Sequence, residues 1–280
     1  MKKFIVAFDG LKYSDSAMSY AIHFALREKA HLVGVSLEDL THHSYGVAAM
    51  TRYEGESFDR HLMHLNERDD EIRKEAIGIF RNACEKAGLT YSVHRDRNVA
   101  LQELVHESVY ADLLILAADD TMTRYDEPLP TRFCRDVLEE VHCPVLLVPS
   151  EYRRAGKVVL LYDGEPSSVY AARAFSYLFD HMKELETEIV TVKPGEGSLN
   201  IPDNRLLKEF IKRHYPQAVY VTLKGYPDEE IVKYLRHQKA DTIVVLGAYY
   251  RGRISRFFRQ SMADHLQQHV KLPLFIARNK

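Results

Sequence analysis

The side chains best placed to do chemistry collect late in the chain. Arg251, Arg253, Arg256 and Arg259 crowd one loop just ahead of Ser261. Guanidinium forks beside a helix start make an anion site, because both they and the first helical N–H groups favour negative oxygens. The same arginines also fit a solvated or interdomain face. Ser261 with Asp264 three residues later is a capping-box-like helix start, and capping alone accounts for Ser261. Tyr249 and Tyr250 head the loop, either to stack on a base or to pack beneath it. Further back, Asp9-Gly10 and Asp163-Gly164 each close an apolar run. A carboxylate there can orient a ligand at the carboxyl end of a strand, where open α/β sheets bind, or accept backbone N–H bonds in a turn. Both readings stay open.

Other chemistries find less support. His42, His43, His61 and His64 invite zinc, but adjacent His42 and His43 rarely aim at one ion and no Cys or carboxylate pattern completes a site, so no metal is expected. There is no Gly-x-Ser-x-Gly elbow, Gly-Lys-Ser/Thr phosphate loop or His-Glu-x-x-His, so no catalytic residue is nominated and a non-enzyme is expected. Cys84, Cys134 and Cys143 form no metal or disulfide spacing, which suits a reducing cytosol. A formal net charge of −2 gives no general pull toward nucleic acid. No stretch approaches the ~20 apolar residues of a membrane span. The apolar run after Met1-Lys-Lys ends at Asp9, too short for a signal peptide. The expected address is the cytoplasm.

The elements that would hold these residues read as alternating strands and helices. Phe4–Phe8 is a buried strand, Ser14 caps a helix carrying Ala17, Met18, Ala21 and Ala25, and His31–Ser36 is the next strand. Glu38 to about Asn66 breaks the rhythm and reads as an insertion, with a short helix at its end. Helical spacing returns at Ile72, Ala76, Phe80 and Ala83 and stops at Gly88. A strand at Thr90–His94 and a helix around Leu104 lead to Ala111-Asp112 and a continuous apolar run. A helix then leads to Cys143-Pro144-Val-Leu-Leu-Val-Pro149, and two such runs flanking one helix are buried parallel strands joined by a crossover.

The same pattern recurs. Asp112 to Pro144 is 32 positions and Asp241 to Pro273 is also 32. After a polar linker at Glu151–Gly156, Lys157–Tyr162 echoes the first strand, and Ser167 or Ser168 is expected to cap the helix that follows. Leu206, Leu207, Phe210 and Ile211 mark the next helix, and Pro227-Asp228 starts another. The chain is thus expected to hold a duplicated domain, residues 1–150 with an insertion at about 39–66, and residues 151–280.

Taken together, the Asp-Gly corners, the Ala-Asp apolar strands at Ala111 and Ala240, and the closing Cys-Pro-Val-Leu-Leu-Val-Pro run resemble the universal stress protein family in its tandem form. The resemblance implies an α/β, Rossmann-like fold, doubly wound, with a five-stranded parallel sheet flanked by helices in each half. It also implies that the last strands of the two halves pair, so that one chain imitates the family's homodimer. Many members bind ATP or another adenine nucleotide through Gly-x-x-Gly, a spacer, then Gly-Ser or Gly-Thr, where glycines admit the phosphates to backbone N–H groups. Here Gly247 fills the first position, Tyr250 and Gln260 replace the next two glycines, and Ser261 remains. In the first half the matching residues are Ala118, Thr121, Thr131 and Arg132, and Asp119 and Asp120 would repel a triphosphate.

The expectation is therefore a stress-response protein that acts by binding, with a degenerate nucleotide or anion site at Asp163, Gly247, Arg251, Arg253 and Ser261. ATP or another adenine nucleotide in the second half, or another anionic small molecule, would be its ligand. Two alternatives stand beside it: a weak ATP hydrolase using the second half, and a ligand-free scaffold that docks a partner through the insertion. Neither nucleic acid nor membrane is an expected partner, and association of whole chains into a homodimer is left open.

Overall fold

Alternation of apolar runs with amphipathic stretches leaves one economical arrangement, parallel strands at the centre with helices over both faces. A computed structural model describes residues 1–39, 56–123, 125–193, 204–247 and 261–278 of the chain. Two compact units, Met1–His142 and Cys143–Lys280, divide it. In the first, β1 (Lys3–Asp9), β2 (His31–Asp39), β3 (Tyr91–Asn98) and β4 (Leu113–Ala117) alternate with α1 (Asp15–Glu28), α2 (Glu56–Lys86), α3 (Ala100–Ser108) and α4 (Arg132–Glu140). The strands lie in the order β3-β2-β1-β4 and all pair parallel.

The second unit begins with β5 (Val145–Val148), then β6 (Lys157–Leu161), α5 (Pro166–Leu178), β7 (Glu186–Lys193), α6 (Asn204–His214), β8 (Val219–Lys224), α7 (Pro227–Arg236), β9 (Thr242–Gly247), α8 (Met262–His269) and β10 (Leu274–Ala277). Its order is β5-β10-β9-β6-β7-β8. Each half of the sequence supplies five strands, as the repeat requires. The fifth, β5, is grouped with the second unit because it pairs antiparallel with β10, Leu146 opposite Phe275. The units part at His142–Cys143 for that reason, ahead of the polar linker at Glu151–Gly156.

Burial follows the sequence pattern closely. Every residue of β4, β5 and β10 is buried, as continuous apolar strands covered on both faces must be. Asp112 and Asp241 stand at the opposite end of the sheet from the Asp-Gly corners. The Asp112 carboxylate accepts the Lys3 N–H at 2.8 Å, and the Asp241 carbonyl accepts the Gly156 N–H at 2.9 Å. The repeated Ala-Asp pair thus ties neighbouring strand starts together.

Helix ends depart from expectation in two places. Ser14 caps α1 as its position predicts, accepting the Ala17 N–H. For α5, the cap is Glu165 rather than Ser167 or Ser168, because Pro166 sits at the first helical position, where its missing N–H costs nothing. Ser168 instead donates its hydroxyl to the Glu165 carbonyl at 2.8 Å. Most consequentially, α2 is one continuous helix of 31 residues that begins at Glu56, so the end of the insertion and the Ile72–Ala83 helix are a single element. On α6, Leu207 and Ile211 are buried while Leu206 faces solvent. The helix is pinned by Tyr215, whose buried hydroxyl donates to the Ala172 carbonyl of α5 at 2.6 Å.

Candidate functional site

Parallel strands with crossover helices put every strand's carboxyl end, and every following helix's amino end, on one side of the sheet. In the second unit that side carries three of the expected residues. Asp163 follows β6 and is exposed, and its Oδ1 accepts the Glu165 N–H at 2.9 Å. Gly164 holds φ at 91°, in the left-handed region that glycine enters without a steric penalty. Gly247 ends β9, the parallel neighbour of β6. A Cβ on Gly247 would stand 2.5 Å from the Ser167 carbonyl carbon and 2.6 Å from the Ser168 nitrogen. This glycine therefore lets the end of β9 touch the first turn of α5, a helix that starts without a side-chain cap.

Ser261 caps α8, accepting the Asp264 N–H at 3.0 Å. Its hydroxyl oxygen thus does the structural work of a cap, and its proton is left to donate. Arg251 and Arg253, with Arg256, Arg259, Tyr249 and Tyr250, lie outside the described residues, as do His42 and His43. The topology brings Asp163, Gly247 and Ser261 to one side of the sheet. Among the described residues, no group of three or more His, Cys, Asp and Glu side chains could hold a metal ion.

The equivalent side of the first unit is built differently. Asp9 repeats the turn, its Oδ1 accepting the Leu11 N–H at 2.9 Å, but it is only 2% exposed and its Oδ2 is buried without a hydrogen-bond partner. What covers it is α2. A Cβ on Gly10 would stand 2.7 Å from both Cα and Cγ of Arg73, so the helix lies directly on the corner. Asp69 and Arg73, one helical turn apart, are both buried there.

The loop after β4 supplies the other wall. Asp120 is 6% exposed, and its Oδ1 accepts the Met122 N–H at 3.3 Å. Burial, and then the neighbouring Asp9 charge, push its carboxyl up to about 8. Burial also raises Asp9 above the usual carboxylate range, opposed by its bond from Leu11 and by the charge of Arg73. Lys12 offsets the pair only in part, through its charge, since its ammonium donates elsewhere, to the Tyr125 carbonyl at 2.7 Å, Asp126 Oδ1 at 2.8 Å and Thr121 Oγ1 at 3.4 Å. Thr131 caps α4 by accepting the Cys134 N–H at 3.1 Å, and donates to the Asp120 carbonyl at 2.6 Å.

That cap revises the pairing of the halves. The 32-residue spacing sets Thr131 against Gln260, yet by role Thr131 corresponds to Ser261. The spacing from Gly247 to Ser261 is one residue longer than that from Ala118 to Thr131.

No family model matches the sequence, and no curated protein matches it. Solved structures do. A universal stress protein from Archaeoglobus fulgidus DSM 4304 superposes with a TM-score of 0.72 at 14% identity, over 99% of this chain and 98% of the other. A putative universal stress protein from Pseudomonas aeruginosa UCBPP-PA14 gives 0.57 at 14% identity, over 99% and 93%. A functionally unknown protein from Pseudomonas aeruginosa PAO1 gives 0.55 at 15%, over 99% and 92%. The chain has the universal stress protein fold. Within that fold, the cluster of Asp9, Asp69, Arg73 and Asp120 escaped the sequence reading. Asp119-Asp120 stood out only as a repulsion to phosphate, and nothing in the pattern singled out Asp69 and Arg73.

Proposed function

We propose that this chain is a non-catalytic binding protein of the universal stress protein kind, acting in the cytoplasm through an anion or adenine-nucleotide site in its second unit. The observation that carries the reading is the contrast between the two Asp-Gly corners. Asp163 is exposed beside Gly247, while Asp9 is sealed under α2. An open carboxylate at the end of β6 suits donors of a base or ribose. The amino ends of α5 and α8, with Arg251 and Arg253 from the sequence between β9 and α8, suit phosphate or another anion. Gly247 already has a packing role, and Ser261 already caps α8, so neither residue alone argues for a ligand. The antiparallel pairing of β5 with β10 supports reading the two halves as a pseudo-dimer. That no described helix is long and apolar enough to cross a membrane fits the proposed address.

Calorimetric titration of the full chain with ATP and with inorganic phosphate tests this reading. The expected result is saturable binding of at least one of them, weakened about tenfold, or roughly 1.4 kcal/mol, by Asp163→Ala for ATP and by the double change Arg251→Ala and Arg253→Ala for both. No ADP should form on prolonged incubation with ATP and Mg²⁺. ADP that accumulates in wild type and not in the double variant would make the chain a hydrolase. Absence of binding to either probe would remove the site.

A further inference from the structure

The first unit holds a buried acidic cluster for which a ligand-binding second unit has no use. We propose that Asp9 and Asp120 form a proton-sensitive latch: with Asp120 neutral, α2 stays seated on the β1 corner, and ionisation of Asp120 lifts the amino-terminal part of α2 away.

The geometry that supports this begins with unequal anchoring along α2. From Ala76 onward its buried side chains are apolar or nearly so, Ala76, Ile77, Phe80 and Cys84, and Phe80 fills the space over Gly34. In the preceding described turns the buried side chains are Asp69 and Arg73. That stretch is therefore held by polar contact with the corner, and polar contact is what a change of charge disturbs. Apolar burial at Phe80 and beyond is indifferent to it.

The charges facing the latch come from three elements. The corner brings Asp9 and Lys12, α2 brings Asp69 and Arg73, and the loop after β4 brings Asp119 and Asp120. Cys134 of α4 lies behind, its thiol against the Asp120 carbonyl at 3.7 Å. Burial lifts that thiol far above neutral pH, so it adds no charge. With Asp120 neutral, Arg73 faces Asp9 and Asp69, one cation against two carboxylates. With Asp120 ionised, a second carboxylate is buried beside Asp9, whose Oδ2 has no donor, and Lys12 is committed to Tyr125 and Asp126. Hydration is the cheapest relief, since a buried charge without a partner costs several kcal/mol. Water reaches the pair when the polar turns of α2 lift while the apolar turns hold, a local opening rather than global unfolding.

Hydrogen–deuterium exchange read by mass spectrometry from pH 6 to pH 9, corrected for the chemical rate of exchange, tests the latch. In wild type, protection of residues 67–75 should fall at least tenfold across that range, while residues 80–86 and 166–178 keep theirs. Asp120→Asn, a neutral isostere of the acid, should hold protection of 67–75 level. Equal profiles in wild type and variant, or loss spread evenly along α2, would overturn the proposal. Should the variant not fold, carboxyl-carbon NMR titration of wild type decides instead. One aspartate should titrate between about 7 and 9, and titration of all of them below about 5.5 would overturn it.

Discussion

The two Asp-Gly corners share a sequence and a turn but not a reason for their glycine. Both aspartates accept the N–H two residues on at 2.9 Å. Gly164 is required by its backbone, at φ 91°, whereas Gly10 is required by its neighbour, since Arg73 leaves no room for a Cβ. The difference traces to the helix that follows the second strand of each half. In the first unit this is α2, 31 residues long and laid across the corner; in the second it is α6, 11 residues long, starting at Asn204. One duplicated scaffold has thus been given a covered corner and an exposed one. A repeated dipeptide is evidence of common architecture, and not of a common task.

Substituting the two glycines puts the contrast under the most strain. Gly10→Ala forces α2 off the corner and is expected to cost about 3 kcal/mol. Gly164→Ala asks only for a left-handed alanine, about 1 kcal/mol. Urea unfolding of the two variants compares them directly, and equal losses would deny that the corners differ. The caps should separate in the same direction. Thr131→Ala loses both the bond from Cys134 and the donation to Asp120, about 2 kcal/mol, while Ser261→Ala loses a cap alone, about 1 kcal/mol.

The corners should also differ in the pH dependence of stability. The Asp120 carboxyl binds its proton more tightly folded, to about 8, than at the ordinary value of 3.8. Its contribution to stability is therefore complete below about 3.8 and is lost as pH rises through about 8. Melting temperature should fall across that window in wild type. Asp120→Asn should flatten the fall and be the more stable of the two at pH 8.

The succession of elements and its repetition were legible in the sequence because fully buried parallel strands are written as unbroken apolar runs, and Ala111–Leu116 and Ala240–Leu246 are hard to read otherwise. Ser14 was legible because a cap is a local matter. The reach of α2 was not. Its first turns, Glu56-Ser-Phe-Asp-Arg-His, carry no sustained apolar stripe, and the burial of Asp69 and Arg73 depends on a corner far away in sequence. Periodicity reports on apolar faces and is blind to a helix face buried through charge. The start of α5 was misplaced because two serines outweighed the proline just ahead of them. At the candidate site, Asp163 was nominated from the repeated Asp-Gly corner and Gly247 and Ser261 from the family resemblance, but the paired spacing concealed the one-residue difference that aligns Thr131 with Ser261.

Exchange footprinting of the full chain with and without millimolar ATP tests most directly that one corner is open and the other closed. The account predicts slower exchange on adding ATP at residues 163–168 and 261–265, with no change at residues 9–14 or 118–132. Protection confined to the first-unit segments would contradict it.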